Sequence, residues 1–291
     1  MTQLIQILIG GLATGAIYAL IAIGFTLLWQ TSQTINFAQG EFVMLPAFFV
    51  LAAMGLHLPF WAAALVGVFV SALLLGLLFK KALIDPMIRH GVLPLAIATM
   101  ALSIFLKESV KAFYSAEAQP FPALVPAIDL HIGPVTVSLQ DITTLIVAVV
   151  AVLCLQWFLN GTRTGRAMQA TAQNPTVARI LGVPVERMIL LTFVINAVMV
   201  ALASLLITPV YLAKFSNGDT LGLAAFIAAI VGGFNQVRGA IAGGLLLGVT
   251  ENLAATYVSA QYRGAFPLIV LIIVILIRPQ GLLGRAEERT V

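Results

Sequence analysis

Asn36, Gln39, Gly40 and Glu41 place two carboxamides, a glycine and a carboxylate inside the short stretch TINFAQGEF, between long apolar runs. Groups of this kind bind polar solutes; they do not by themselves make or break bonds. In a helix Asn36, Gln39 and Gly40 fall at i, i+3, i+4 and share a face, while Glu41 points elsewhere, near Phe37. Two readings stand side by side. One is a polar step in a translocation path at an unwound helix end, where free backbone groups meet the solute. The other is a helix start, with Asn36 as N-cap and Gln39 as the reciprocal member of a capping-box-like pair. A carboxylate at membrane depth, as Glu41 would be, faces a cavity or a partner. Asn196, Glu251 and Asn252 are the other path candidates. Asn196 also suits an interhelical hydrogen bond, and Glu251 a pair with Arg263 near the outer interface. Lys107 and Lys111 suit snorkelling side chains, with Glu108 as local partner.

Catalytic chemistry has no foothold. No lysine stands in the Gly-rich context of a P-loop, and no H-E-x-x-H occurs. His57, His90 and His131 are scattered, and nothing forms a triad. The single Cys154 excludes an internal disulfide and a multi-cysteine metal site. The expectation is a transport protein, not an enzyme, with no cofactor or metal of its own.

A second constellation lies in 161–187, GTRTGRAMQATAQNPTVARILGVPVER. Asn174 suits an N-cap, and Pro175 the N1 position, where its missing N–H costs nothing. Gly182 suits the C′ position, and Pro184 blocks continuation. Between them Val177, Ile180 and Leu181 share one face. A helix of about two turns cannot hold itself in water, so it packs on its own protein or on another. The hypothesis is that it docks into a partner, and that the rest of the chain is the transmembrane machine the dock moves.

The elements that must carry these groups are membrane helices. The 291-residue chain is 61% hydrophobic and 9% charged, against about 25% charged in soluble domains. The start, MTQLIQ, lacks the basic region of a signal peptide and reads as entering an uncleaved first span. Apolar runs cover 4–28, 42–56, 59–79, 93–114, 142–159, 188–211, 221–233, 240–257 and 266–277. Lys80, Lys81, Asp85, Arg89 and His90 read as a charged loop, and 115–141 as the longest loop, without Lys or Arg. The basic loops fall on one side if the N-terminus is outside and the C-terminus inside, in an all-α polytopic bundle of about nine membrane segments. The run 221–233 covers only about 20 Å as a helix, which favours a broken or re-entrant element, paired with 240–257.

Four stretches then accumulate in order: TINFAQGEF, the loop GRA…Ala178…Gly182, LGLAAFIAAIVGGFNQVRGAIAGGLLLGVTEN, and RPQGLLG. Together they resemble the inner-membrane permease subunits of branched-chain amino acid ABC importers, the smaller, LivH-type member of the paired permeases. The resemblance covers essentially the whole chain and implies one transmembrane permease domain, 1–291. It implies that 174–182 is a cytoplasmic coupling region like the EAA loop of ABC importers, with Ala178 and Gly182 at its Ala and Gly positions. The leading Glu of that motif has no counterpart here. Arg166, Asn174, Pro175, Val177, Ala178, Ile180, Leu181 and Gly182 are the coupling candidates. The implied partners are a second homologous permease, two cytoplasmic ATPases that hold ATP and Mg, and a periplasmic binding protein. The implied location is the bacterial inner membrane. Urea or short amides are the alternative cargo within the superfamily. An ion-coupled secondary transporter acting alone, or a passive channel, would leave the capped helix without a role.

Overall fold

A computed structural model describes residues 2–133 and 135–284. α1 (Thr2–Ser32) is a long uncharged helix that stops where Gln33 takes a left-handed backbone, φ 53°. α2 (Gln39–Gly55) follows a non-helical segment. α3 (Phe60–Ser71) runs on through widened π-helical turns, Ala72–Leu78 and Lys80–Ile84, into α4 (Asp85–Met87). α5 (Val92–Phe113) starts after Gly91, whose φ of 100° disfavours any side chain. A small antiparallel hairpin, β1 (Asp129–Ile132) with β2 (Val135–Ser138), precedes α6 (Leu139–Gly161). Two short helices follow, α7 (Arg163–Gln173) and α8 (Pro175–Ile180). The chain then forms α9 (Val185–Tyr211), α10 (Asn217–Gly232), α11 (Val237–Tyr257) and α12 (Phe266–Ile277), the last entered through a 3-10 turn, Ala260–Ala265.

Among the described residues six helices are long and apolar enough to cross a bilayer: α1, Phe60–Met87, α5, α6, α9 and Ala260–Ile277. α2 and α10 are shorter, at 17 and 16 residues. The chain is therefore an all-α, multi-pass membrane bundle. α1 and α9 bury most of their apolar length, whereas α5 and α12 leave most of theirs outside. The outer faces carry Leu65, Phe69, Ile104, Phe105, Leu153 and Ile272 into the surroundings, as lipid-facing helices do when tails are as apolar as the core.

Glycine sets how closely α1 and α11 meet. α1 and α11 approach until an added Cβ on Gly11 would lie 2.9 Å from the Val249 Cα, and one on Gly15 2.8 Å from the Leu245 Cα. Gly248 faces them from α11. This is the small-residue packing that holds helices together where no hydrophobic drive separates lipid from protein.

Three sequence expectations change. Residues 80–90 are not a loop up to Met87, because the lysine finds anions on the helix: Lys80 is buried, 2.8 Å from the Asp85 carboxylate and 3.4 Å from that of Glu186. The 115–141 loop ends early. Ser138 caps α6 by accepting from the Gln140 N–H at 3.2 Å, which draws Asp141 into the first turn. The charged tail lies outside the described residues from 285 on. Its described part folds back, and Leu282 and Leu283 donate backbone N–H groups to the carbonyls of Val231 and Gly232 at 2.8 and 3.0 Å. RPQGLLG thus satisfies the open C-terminal carbonyls of α10.

Candidate functional site

The segment between Gln33 and α2 is non-helical, and this decides where its polar groups go. Asn36 accepts from the Ala38 N–H at 3.0 Å through its side-chain oxygen. It is not the N-cap of α2, a position held by Ala38 without a side-chain bond, and no capping box forms. Since Asn36 precedes the helix, helical spacing does not govern it, and the expected shared face of Asn36, Gln39 and Gly40 splits in two.

One half is a closed amide cluster. Gln39 donates to the Asn196 Oδ1 at 2.7 Å, and Asn196 donates back to the Gln39 Oε1 at 3.1 Å. Asn36 adds a third, longer contact to the same Oε1 at 3.4 Å. All three residues are buried. Gly24 of α1 makes the room, since a Cβ there would stand 2.6 Å from the Gln39 Nε2. Asn196→Leu leaves the Gln39 amide short of a partner, at a cost of about 1–3 kcal/mol. The expected result is a lower melting temperature in detergent, partly restored by adding Gln39→Leu, which removes the orphaned group.

The other half is a cavity. Gly40 and Glu41 start α2 against Gly218 and Gly222 at the start of α10, so close that a Cβ on Gly222 would lie 2.7 Å from the Gly40 Cα. Two helix N-termini thus meet. Beside them opens a cavity of about 390 Å³ lined by Phe25, Phe37, Gly40, Glu41, Ser103, Gly218, Asp219, Gly222, Leu223 and Phe226. Phe25 and Phe37 approach Phe226 with ring centres 5.3 and 6.4 Å apart. Asp219 is ion-paired to Lys107 of α5. Sequence reasoning gave Lys107 to the membrane interface and overlooked Asp219, Ser103 and the aromatic wall, whose association depends on the crossing of α2, α5 and α10.

Glu251 and Asn252 lie elsewhere. Glu251 accepts from the Tyr18 hydroxyl at 2.8 Å and from the Arg263 Nε at 2.6 Å, while the Arg263 guanidinium stands over Tyr211, 5.8 Å from the ring centre. Asn252 donates to the Gly248 carbonyl of its own helix at 2.9 Å. Both serve the α1–α11 contact and neither lines the Glu41 cavity.

At one end of the bundle stands the α7–α8 pair. Thr162 caps α7 by accepting from the Gly165 N–H at 2.9 Å, and α7 tucks Met168 and Thr171 inward while Arg166 stays exposed. α7 is hidden in the sequence because most of its residues are polar or glycine; Thr162 followed by inward-spaced Met168 and Thr171 is the signal that marks it. Asn174 caps α8 by accepting from both Thr176 and Val177 N–H groups at 3.0 Å. At the far end the Val183 N–H reaches the Ala178 carbonyl at 2.9 Å and the Gly182 N–H the Arg179 carbonyl at 3.1 Å. With Gly182 at φ 83° this is a Schellman motif. Pro175 stands at its start, as expected. The face assignments also resolve. Ala178 is 2% exposed, while Val177, Ile180 and Leu181 are 48%, 80% and 75% exposed. A rigid, doubly capped helix therefore offers an aliphatic face that its own chain does not cover.

Residues 7–275 match the family described as branched-chain amino acid transport system / permease component. The high-affinity branched-chain amino acid transport system permease protein LivH of Salmonella typhimurium is 34% identical, over 99% of this chain and 97% of its own. The corresponding permease protein BraD of Pseudomonas aeruginosa is also 34% identical, over 99% of this chain and 98% of its own. A probable LivH of Methanocaldococcus jannaschii is 26% identical, over 96% and 92%.

Proposed function

The chain belongs to the branched-chain amino acid transport system permease family, and from that premise we propose how it works within an ABC importer. It is the membrane-spanning permease subunit, and ATP is hydrolysed by separate subunits. The cargo is a branched-chain or closely related amino acid handed over by a periplasmic binding protein. The full assembly holds a second, homologous permease and two cytoplasmic ATPases, which carry the ATP and Mg, in a bacterial inner membrane. The N-terminus lies outside and the C-terminus inside, with about nine membrane segments once α2, α10 and α11 join the six long helices. Ion pairs support this sidedness: Glu186, at the start of α9, lies 3.4 Å from Lys80 and 3.8 Å from Arg179. The basic stretch at Lys80 and the α8 region therefore share one end of the bundle.

The observation that carries the coupling proposal is the exposed face of Val177, Ile180 and Leu181 on a helix fixed at both ends. An exposed aliphatic patch of this kind marks a docking surface. An ATPase that covers it moves α8 with it. α8 is tied through Gly182 to α9 and through Asn174 to α7, and α9 carries Asn196 to the amide cluster. Closure of the two ATPases is thereby transmitted to the place where α2 and α10 meet, and the path at Gly40 and Glu41, beside the amide cluster of Asn36, Gln39 and Asn196, changes its access. Native mass spectrometry of the gently solubilised complex tests the assembly. Two ATPase subunits and a second permease are expected with this chain, and ATP-dependent leucine uptake is expected on reconstitution with the binding protein. A chain that takes up amino acid alone, driven by an ion gradient without ATP, refutes the proposal.

A further inference from the structure

Glu41 is 2% exposed, yet it lines an open cavity. Among the described residues no Lys, Arg or His nitrogen lies within 4.0 Å of its carboxylate. The second carboxylate of the cavity, Asp219, is already answered by Lys107. Two carboxylates, Glu41 and Asp219, therefore stand against the one Lys107 ammonium. Within a bilayer an excess carboxylate is costly and marks a solute or ion pathway. The N-terminal dipole of α2 offsets only roughly half a unit charge.

The remaining wall has the opposite character. Phe25, Phe37, Leu223 and Phe226 form an apolar surface beside the carboxylate. A cavity of about 390 Å³ with a single free anion and an aliphatic-compatible wall fits an ammonium group carried next to a branched hydrocarbon. We propose that this cavity binds the transported amino acid inside the permease, with Glu41 as counter-ion to its α-ammonium and the phenylalanine wall against its side chain. The proposal rests on the importer function argued above and adds a point of recognition in the membrane, beyond the binding protein.

The test uses the assembled transporter in lipid nanodiscs and dicyclohexylcarbodiimide, an apolar reagent that modifies carboxyl groups reachable from membrane. Modification of Glu41 is followed by peptide mass spectrometry in the presence of L-leucine, isopentylamine (no carboxylate) or isocaproate (no ammonium). At saturation, leucine and isopentylamine slow modification of Glu41 by at least about tenfold, and isocaproate does not. Protection by isocaproate equal to that by the amine, or no protection by the amine, overturns the ammonium contact. Glu41→Gln lowers leucine uptake by about tenfold or more with the complex intact, as expected for loss of a buried charge-assisted contact. ATP-driven leucine uptake by the unaltered complex is measured alongside. Its absence refutes the importer function, whereas uptake with an unprotected Glu41 refutes only the contact proposed here.

Discussion

Ile180→Asp together with Leu181→Asp abolishes ATP-driven uptake while the chain still folds in the membrane. Both side chains are largely exposed, so their own fold loses little when they change. Against a partner the arithmetic differs. Burying each large aliphatic side chain is worth about 1.5–3 kcal/mol, so losing two removes about 3–6 kcal/mol of docking energy. That corresponds to roughly a hundredfold to ten-thousandfold weaker association at 1.4 kcal/mol per decade. Two carboxylates forced into the contact add a desolvation penalty. The measurement is the ATPase content of the purified complex, with unchanged yield and melting temperature of the permease. Ala178→Pro is the internal counterpart. It removes the N–H that Ala178 donates to the Asn174 carbonyl at 2.9 Å, and proline inside a helix costs about 3 kcal/mol. It should uncouple transport by melting α8 where the aspartates do so by spoiling its surface.

Gly248→Leu acts at the opposite extreme and prevents folding. The added Cβ would fall on the backbone of Gly15 and 2.5 Å from the Gly11 carbonyl oxygen. Backbone cannot give way as a side-chain tip can, so α1 and α11 must separate. That separation also breaks the contact of Tyr18 on α1 with Glu251 on α11. Overpacking of a fitted core costs typically 1–3 kcal/mol when side chains can yield, and here only helix displacement can relieve it. The expected result is loss of monodisperse protein on size-exclusion chromatography. Gly55→Leu, where an added Cβ meets nothing within 4 Å, leaves the yield unchanged.

What could be read from the residues alone followed from local physics. The caps of α8 are set by Asn174, Pro175 and Gly182, each acting within a few residues, and the helix appears where those residues place it. The long apolar helices follow from composition for the same reason. The polar centre was harder. Asn36, Gln39, Gly40 and Glu41 are neighbours in the chain, but a break at Ala38 sends Gln39 to Asn196, with Asn36 against Gln39, and the other two to a cavity. That break has no strong local signal, because Ala38 makes no side-chain cap. The partnership of Gln39 with Asn196 spans 157 positions and depends on the absent side chain of Gly24. The role of Asp219 depends in the same way on Lys107, a residue 112 positions away. The helical continuation through Lys80 was hidden because a charged run resembles a loop until its counter-ions, Asp85 and Glu186, are seen beside it.

Sidedness of α8 bears most directly on the coupling role. Leu181→Cys is introduced after Cys154, the one native cysteine, is replaced by serine, and intact cells are treated with a membrane-impermeant maleimide. No labelling is expected until the inner face is opened, as in inverted vesicles, whereas Glu117→Cys in the hairpin-bearing loop is labelled from outside. Labelling of Leu181→Cys in intact cells would put α8 on the wrong face for a cytoplasmic ATPase and contradict its assignment as the coupling helix.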